Sequence, residues 1–173
     1  MKSLGAWLVL GAVAATADAD EIRLTERPDH VTEARIVVHA TPSEIYAFVT
    51  DYKNWTTTLS DISSVKVESG GRDDAKVKFH SRALDQTVTV KFDNEPDRRI
   101  RFVGVKGPPG GRARGEFVLV PLDGGHSTEV TASLYMDVVG APGWFVTDSK
   151  VSDMRRTKLR ADIGDVARHF EGK

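Results

Sequence analysis

The sequence predicts a single α+β domain in which a curved antiparallel sheet of seven strands wraps a long C-terminal helix, with two short helices after the first strand. Three observations predict it. A strand-like alternation runs straight into a capped short helix, six further alternating runs follow with turn chemistry between them, and one long helical pattern closes the chain.

Residues 20–31 are polar and read as a loose N-terminal arm, and residues 32–173 as the domain. Ala34, Ile36 and Val38 alternate with Arg35, Val37 and His39, the period of a strand with one protected face. Thr41-Pro42-Ser43-Glu44 then starts a helix: threonine caps it, proline takes the first helical position, and glutamate stands three residues after the cap. Ile45, Phe48 and Val49 supply its apolar face, and a second short helical turn follows through Asp51 to Trp55, with Leu59 packing nearby.

The next six runs carry apolar residues at every second position: Val65 and Val67; Val77, Phe79, Ser81 and Ala83; Val88, Val90 and Phe92; Ile100 and Phe102; Phe117 and Leu119; Val130 to Met136. Glycine, proline, asparagine and aspartate cluster between most of them, at Ser69 to Asp73, Asn94 to Asp97, Gly107 to Gly111 and Asp123 to His126, so an antiparallel meander is expected. Pro142 and Gly143 end the last strand. From Trp144 to Phe170 the pattern is helical, with Val151, Leu159, Ile163, Val166 and Phe170 on one side, Met154 at its edge, and Asp153, Arg156, Arg160 and Arg168 facing solvent. A twisted sheet of this size is concave, and a single helix cannot fill the concavity, so a pocket is expected between the two.

The chain has 173 residues, 40% hydrophobic and 28% charged, with a formal net charge of -1. That balance gives no global field toward nucleic acid, which is excluded as an expected partner. Cysteine is absent, which removes disulfides, thiolate nucleophiles and a lipoprotein anchor. Lys2, the apolar run from Leu4 to Ala15 and the small-x-small triplet Ala17-Asp18-Ala19 have the form of a cleavable signal peptide over residues 1–19, cut after Ala19. The apolar run falls short of the roughly 20 residues a spanning helix needs. Export to a periplasm or beyond is the expectation.

The segment from Ala40 through Thr41-Pro42-Ser43-Glu44 to Asp51 and Trp55, in which a capped helix leads to an aspartate and then a tryptophan, resembles the opening of the START and Bet v 1-like (SRPBCC) superfamily. Within it, the chain is similar to polyketide cyclase-like and coenzyme Q-binding proteins. The resemblance spans about Thr32 to Phe170 and implies the helix-grip fold. It also implies a cavity for a sterol, phospholipid, quinone or polyketide. Some members are enzymes, but their catalytic residues differ among themselves, so none transfers to this chain.

Val77, Phe79, Val90, Phe92, Ile100, Phe102, Trp144 and Met154 are the candidate ligand-binding residues. Arg155 joins them because it shares the row Val151, Arg155, Leu159, Ile163 on the inward side of the helix. A buried guanidinium needs a partner, and the readings open are an oxygen of the ligand, Asp162 in a structural pair, or a side chain that snorkels to the edge. The loop from Lys106 to Arg112 is a hairpin connection or a lid, without the spacing of a phosphate-binding loop. His30, His39, His80, His126 and His169 lack metal-site spacing, and Ser60, Ser81 and Ser133 lack a nucleophile setting, so no metal, cofactor or catalytic set is expected. Tyr46, Tyr135 and Asp51 carry no specific signal for acid-base chemistry. The leading expectation is a monomeric binder or carrier of a hydrophobic molecule, touching a membrane transiently for exchange. The alternative is a cyclase or dehydratase acting on a bound polyketide-like substrate, which requires a perturbed titratable group facing the pocket. A protein-interaction module using an exposed sheet edge has no specific support.

Overall fold

A computed structural model describes residues 21–107, 112–137 and 147–171. The expected signal peptide, residue Trp144 and residues 108–111 of the suspected lid lie outside the described residues. The strands are β1 (Arg23–Glu26), β2 (Val31–Val38), β3 (Ile62–Ser69), β4 (Lys76–Ser81), β5 (Gln86–Glu95), β6 (Arg99–Lys106), β7 (Arg112–Leu122) and β8 (Ser127–Asp137). Helices α1 (Pro42–Val49) and α2 (Trp55–Thr58) follow β2, and α3 (Asp148–Glu171) ends the described chain.

All neighbouring strands pair antiparallel in one open sheet ordered β1-β2-β8-β7-β6-β5-β4-β3. Seven of the strands are those the alternation predicts, and the eighth corrects the reading of residues 20–31 as a loose arm. Arg23–Glu26 pairs with Thr32 to Arg35 as an edge strand. It is short and largely polar, so its identity comes from the pairing and not from its own pattern.

Helix α1 starts as its first residues dictate. The Thr41 hydroxyl accepts from the Glu44 amide at 3.2 Å, and the Glu44 carboxylate accepts from the Thr41 amide at 2.9 Å, a complete capping box with Pro42 in the first turn. Thr41→Ala is expected to remove about 1 kcal/mol of stability, measured by urea denaturation. The Trp55 indole N–H donates to the Val49 carbonyl at 2.9 Å and fixes α2 against the end of α1.

The inward sheet positions Ala34, Ile36, Val130 and Ala132 meet Leu159, Ile163 and Val166 of α3 in one core, every one of them 3% exposed or less. Helix α3 packs mainly on β2 and β8. It therefore covers one end of the strand order, while the twist of the sheet carries β4, β5 and β6 around and away from it. This is the helix-grip arrangement, with space left on the side the helix does not reach.

Candidate ligand cavity

That space is a cavity of about 380 Å³, within the roughly 300–1,000 Å³ typical of small-molecule sites. The alternation of the central strands makes its floor: Phe79 from β4, Val88, Val90 and Phe92 from β5, Ile100 and Phe102 from β6. Trp55 and Leu59 close the inner end. There Trp55 meets Phe79 and Phe92 edge-on, with ring centroids 5.5 and 5.8 Å apart, and Phe92 meets Phe102 at 6.0 Å. Phe102 reaches its position because its cross-strand partner is Gly115, where a Cβ would stand 2.7 Å from the phenyl ring. Met136, Met154 and Leu84 lie toward the other end, with Lys106, Gly107, Arg112 and the 46%-exposed Val105 at the opening.

Six of the nine residues singled out from the sequence therefore line one cavity: Phe79, Val90, Phe92, Ile100, Phe102 and Met154. Val77 does not. It is fully buried two residues before Phe79 on the inward face of β4, opposite Val90, and belongs to the packed core. Trp144 lies outside the described residues. Arg155 is inward, at 4% exposure, but it does not line the cavity and does not pair with Asp162. Its Nε donates to the Thr32 hydroxyl at 2.9 Å, one terminal nitrogen to the Met136 carbonyl at 3.3 Å, and the other to Glu26 at 3.2 Å. The partner was invisible because Glu26 sits on the edge strand β1. Glu26 also accepts from Thr32, Ser152 and Arg156. Burial alone would raise its pKa, and these four donors together hold it below the ordinary glutamate value. The arginine is thus a clamp joining β1, β2, β8 and α3.

A charged cluster stands in the cavity wall that the sequence reading did not assemble. Met154, Lys158, Asp162 and Val166 fall four residues apart on α3 and all line the cavity. This row lies beside the buried row of Val151, Arg155, Leu159 and Ile163. The Lys158 ammonium donates to both carboxylate oxygens of Asp162, at 2.5 and 2.6 Å, and lies 3.1 Å from Oδ2 of Asp61. Asp61 precedes β3 and is itself held by the Ser81 hydroxyl and the Ala83 amide, both at 2.7 Å. Burial opposes the charge on Lys158, but the two carboxylates outweigh it and raise its pKa. Burial also opposes ionisation of Asp61, and Lys158, Ala83 and Ser81 outweigh it, so its pKa falls below the ordinary value. For Asp162 burial wins over Lys158, and Asp61 and Asp165 add to it, so its pKa is raised. One cation faces two carboxylates, and Asp162 is the one left disfavoured as an anion.

Of the other titratable or nucleophilic candidates, Ser133 also lines the cavity, and Ser60, Tyr46, Tyr135 and Asp51 hold the scaffold. Ser60 donates to Asp165 of α3 from both its amide and its hydroxyl, at 2.7 and 2.9 Å. The Tyr46 hydroxyl donates to Asp73 at 2.6 Å, and burial, then that carboxylate, pushes its pKa far above the usual range. Tyr135 lies under the Arg114 guanidinium, 4.0 Å from the ring centre. Asp51 accepts from the Asn54 side chain at 2.7 Å in the short turn before α2.

A family model described as polyketide cyclase / dehydrase and lipid transport matches residues 29–171. No curated protein matches the chain in sequence. Among solved structures, a START superfamily protein from Mycobacterium smegmatis is 15% identical with a TM-score of 0.71, over 83% of this chain and 98% of that one. The Zhui aromatase/cyclase from Streptomyces is 18% identical with a TM-score of 0.68, over 87% and 94% of the two chains. The di-domain aromatase/cyclase BexL is 17% identical with a TM-score of 0.63, over 85% of this chain and 52% of that one.

Proposed function

The chain belongs to the polyketide cyclase / dehydrase and lipid transport family, and from that membership we propose that it binds or carries a hydrophobic small molecule, a lipid, quinone or polyketide-like compound, in the cavity between α3 and the sheet. The carrying observation is the cavity itself. A space of about 380 Å³ walled by phenylalanine, valine, isoleucine and methionine side chains is a poor place for water and a good one for an apolar ligand. Two solved structures of similar fold are aromatase/cyclases. Native mass spectrometry of the purified protein, followed by solvent extraction, should reveal a bound apolar compound. Failure of every member of a fluorescent lipid, quinone and polyketide-analogue panel to bind saturably would end the reading.

The site of action in this proposal is outside the cytoplasm, with the protein a monomer that exchanges its cargo by brief membrane contact. The support is the N-terminal sequence: Lys2, an apolar run and Ala17-Asp18-Ala19. Among the described residues no helix is long and apolar enough to cross a membrane. Intact mass of the protein recovered from secreting cells should correspond to a chain beginning at Asp20, and a chain retaining residues 1–19 would count against export.

One observation favours a second reading, cyclase or dehydratase chemistry on a bound polyketide-like substrate. Asp162 is a carboxyl group in the cavity wall whose pKa burial raises, the kind of group that acid-base chemistry uses. Under this reading a linear poly-β-ketone is cyclised to a product distribution different from the spontaneous one, and identical distributions with and without protein would exclude it.

A further inference from the structure

Resting on the reading that the cavity holds an apolar ligand, we propose that Asp162 is its polar contact and selects molecules carrying a hydroxyl, phenol or enol group, whose O–H donates to the carboxylate.

The Lys158 ammonium is turned to both oxygens of Asp162 and to one of Asp61, so its charge is committed to these two carboxylates. Asp61 is also taken: it accepts from Ser81, Ala83 and Lys158, and its side chain is 1% exposed. Asp162 differs from both. Each of its oxygens accepts from Lys158 and retains a second acceptor position, its side chain keeps 14% exposure, and it lines the cavity.

The sign of the charge then decides which ligand group fits. Lys158 faces Asp61 and Asp162, and Asp165, three residues further along α3 and paired with the outward Arg168, adds negative charge beside Asp162. The wall is therefore short of positive charge on its inner side. A donor hydroxyl relieves that deficit, whereas a carboxylate or phosphate brings more negative charge to it. The raised pKa of Asp162 is the same deficit expressed as affinity for a proton, and a ligand O–H answers it without moving one. The lining around Asp162 is mostly apolar, with Gln86, Ser133 and, at the opening, Lys106 and Arg112 as its other polar side chains, so a ligand hydroxyl left unmatched among the apolar groups is costly and a matched one selective.

The test uses three rods of one shape, p-phenylphenol, p-methylbiphenyl and p-phenylbenzoate, titrated calorimetrically into the full protein. Without a partner for the hydroxyl, the methyl compound should bind best, because it is the more hydrophobic. The proposal expects the reverse order: the phenol about tenfold tighter than the methyl compound, and the benzoate weakest. The advantage of the phenol should shrink as pH is lowered and Asp162 takes up its proton. In Asp162→Asn, shown to be folded by its thermal transition, the gap between phenol and methyl compound should narrow and the benzoate should gain relative to both. Equal or reversed affinities in the unaltered protein, or a phenol preference unchanged in Asp162→Asn, would overturn the assignment while leaving the cavity reading intact. Saturable binding of none of the three would overturn both.

Discussion

Asp61→Ala is expected to destabilise the folded protein by about 3–5 kcal/mol, a large fraction of the stability of a domain this size. The Asp61 side chain is 1% exposed and accepts from three parts of the chain: the Ser81 hydroxyl at the end of β4, the Ala83 amide in the turn beyond it, and Lys158 of α3. Truncation leaves a half-buried N–H and a buried hydroxyl without this acceptor and takes one of two counterions from Lys158. Asp85→Asn, in the same turn but at a 97%-exposed side chain and at a positive φ that asparagine tolerates, should change stability by less than about 0.5 kcal/mol. Urea denaturation measures both, and a loss at Asp61 as small as that at Asp85 would show that the cluster does not hold the turn to the helix. The pH dependence has a definite sign. The folded pKa of Asp61 is depressed, so its contribution is complete above the ordinary aspartate value of 3.8 and fades as pH falls through the folded value. Asp61→Asn keeps an acceptor oxygen and should lose less stability at neutral pH, while the acid-labile part disappears. Asp61 also raises the pKa of Asp162, so the same substitution should bring the titration of Asp162 down.

The contrast between the clusters explains what was legible in the sequence. The floor of the cavity was readable because β5 and β6 put apolar residues at every second position, and Val90, Phe92, Ile100 and Phe102 could face only inward. Strand period also placed Val77 inward, but an inward residue covered by core packing and one left facing a cavity have the same period, and Val77 is covered. On α3 the periodicity identified the row containing Arg155 as buried, correctly, but burial in the core and exposure to a cavity look alike in sequence. The adjacent row of Met154, Lys158 and Asp162 carries a spacing of four that signals an ion pair. Its surroundings depend on Asp61, roughly a hundred residues earlier, which no local pattern links to it. Glu26 escaped for the same reason: a four-residue edge strand is specified by its neighbour β2 and by the arginines of α3, and both lie elsewhere in the chain.

Ala113→Trp is expected to abolish ligand binding, weakening p-phenylphenol by at least about 100-fold, equivalent to about 2.7 kcal/mol, with the fold retained. Ala113 lies on β7 opposite Met136 and lines the cavity with a side chain of one methyl group, so an indole grown from it enters the space a ligand would use. Because that space is empty of protein, the new ring has room that a packed core would deny it, and the overpacking cost of about 1–3 kcal/mol is offset by the apolar surface it buries. The control is Val103→Trp. Val103 follows Phe102 on β6, points to the opposite face of the sheet and is 49% exposed, so a large ring there leaves the cavity unchanged. Binding lost in both variants would mean that the tryptophans disturb the sheet. Binding kept in Ala113→Trp would place the ligand somewhere other than beneath α3. Binding lost only in Ala113→Trp, with an unchanged circular dichroism spectrum, ties recognition to the unfilled concavity that follows from one helix gripping only one end of a twisted eight-stranded sheet.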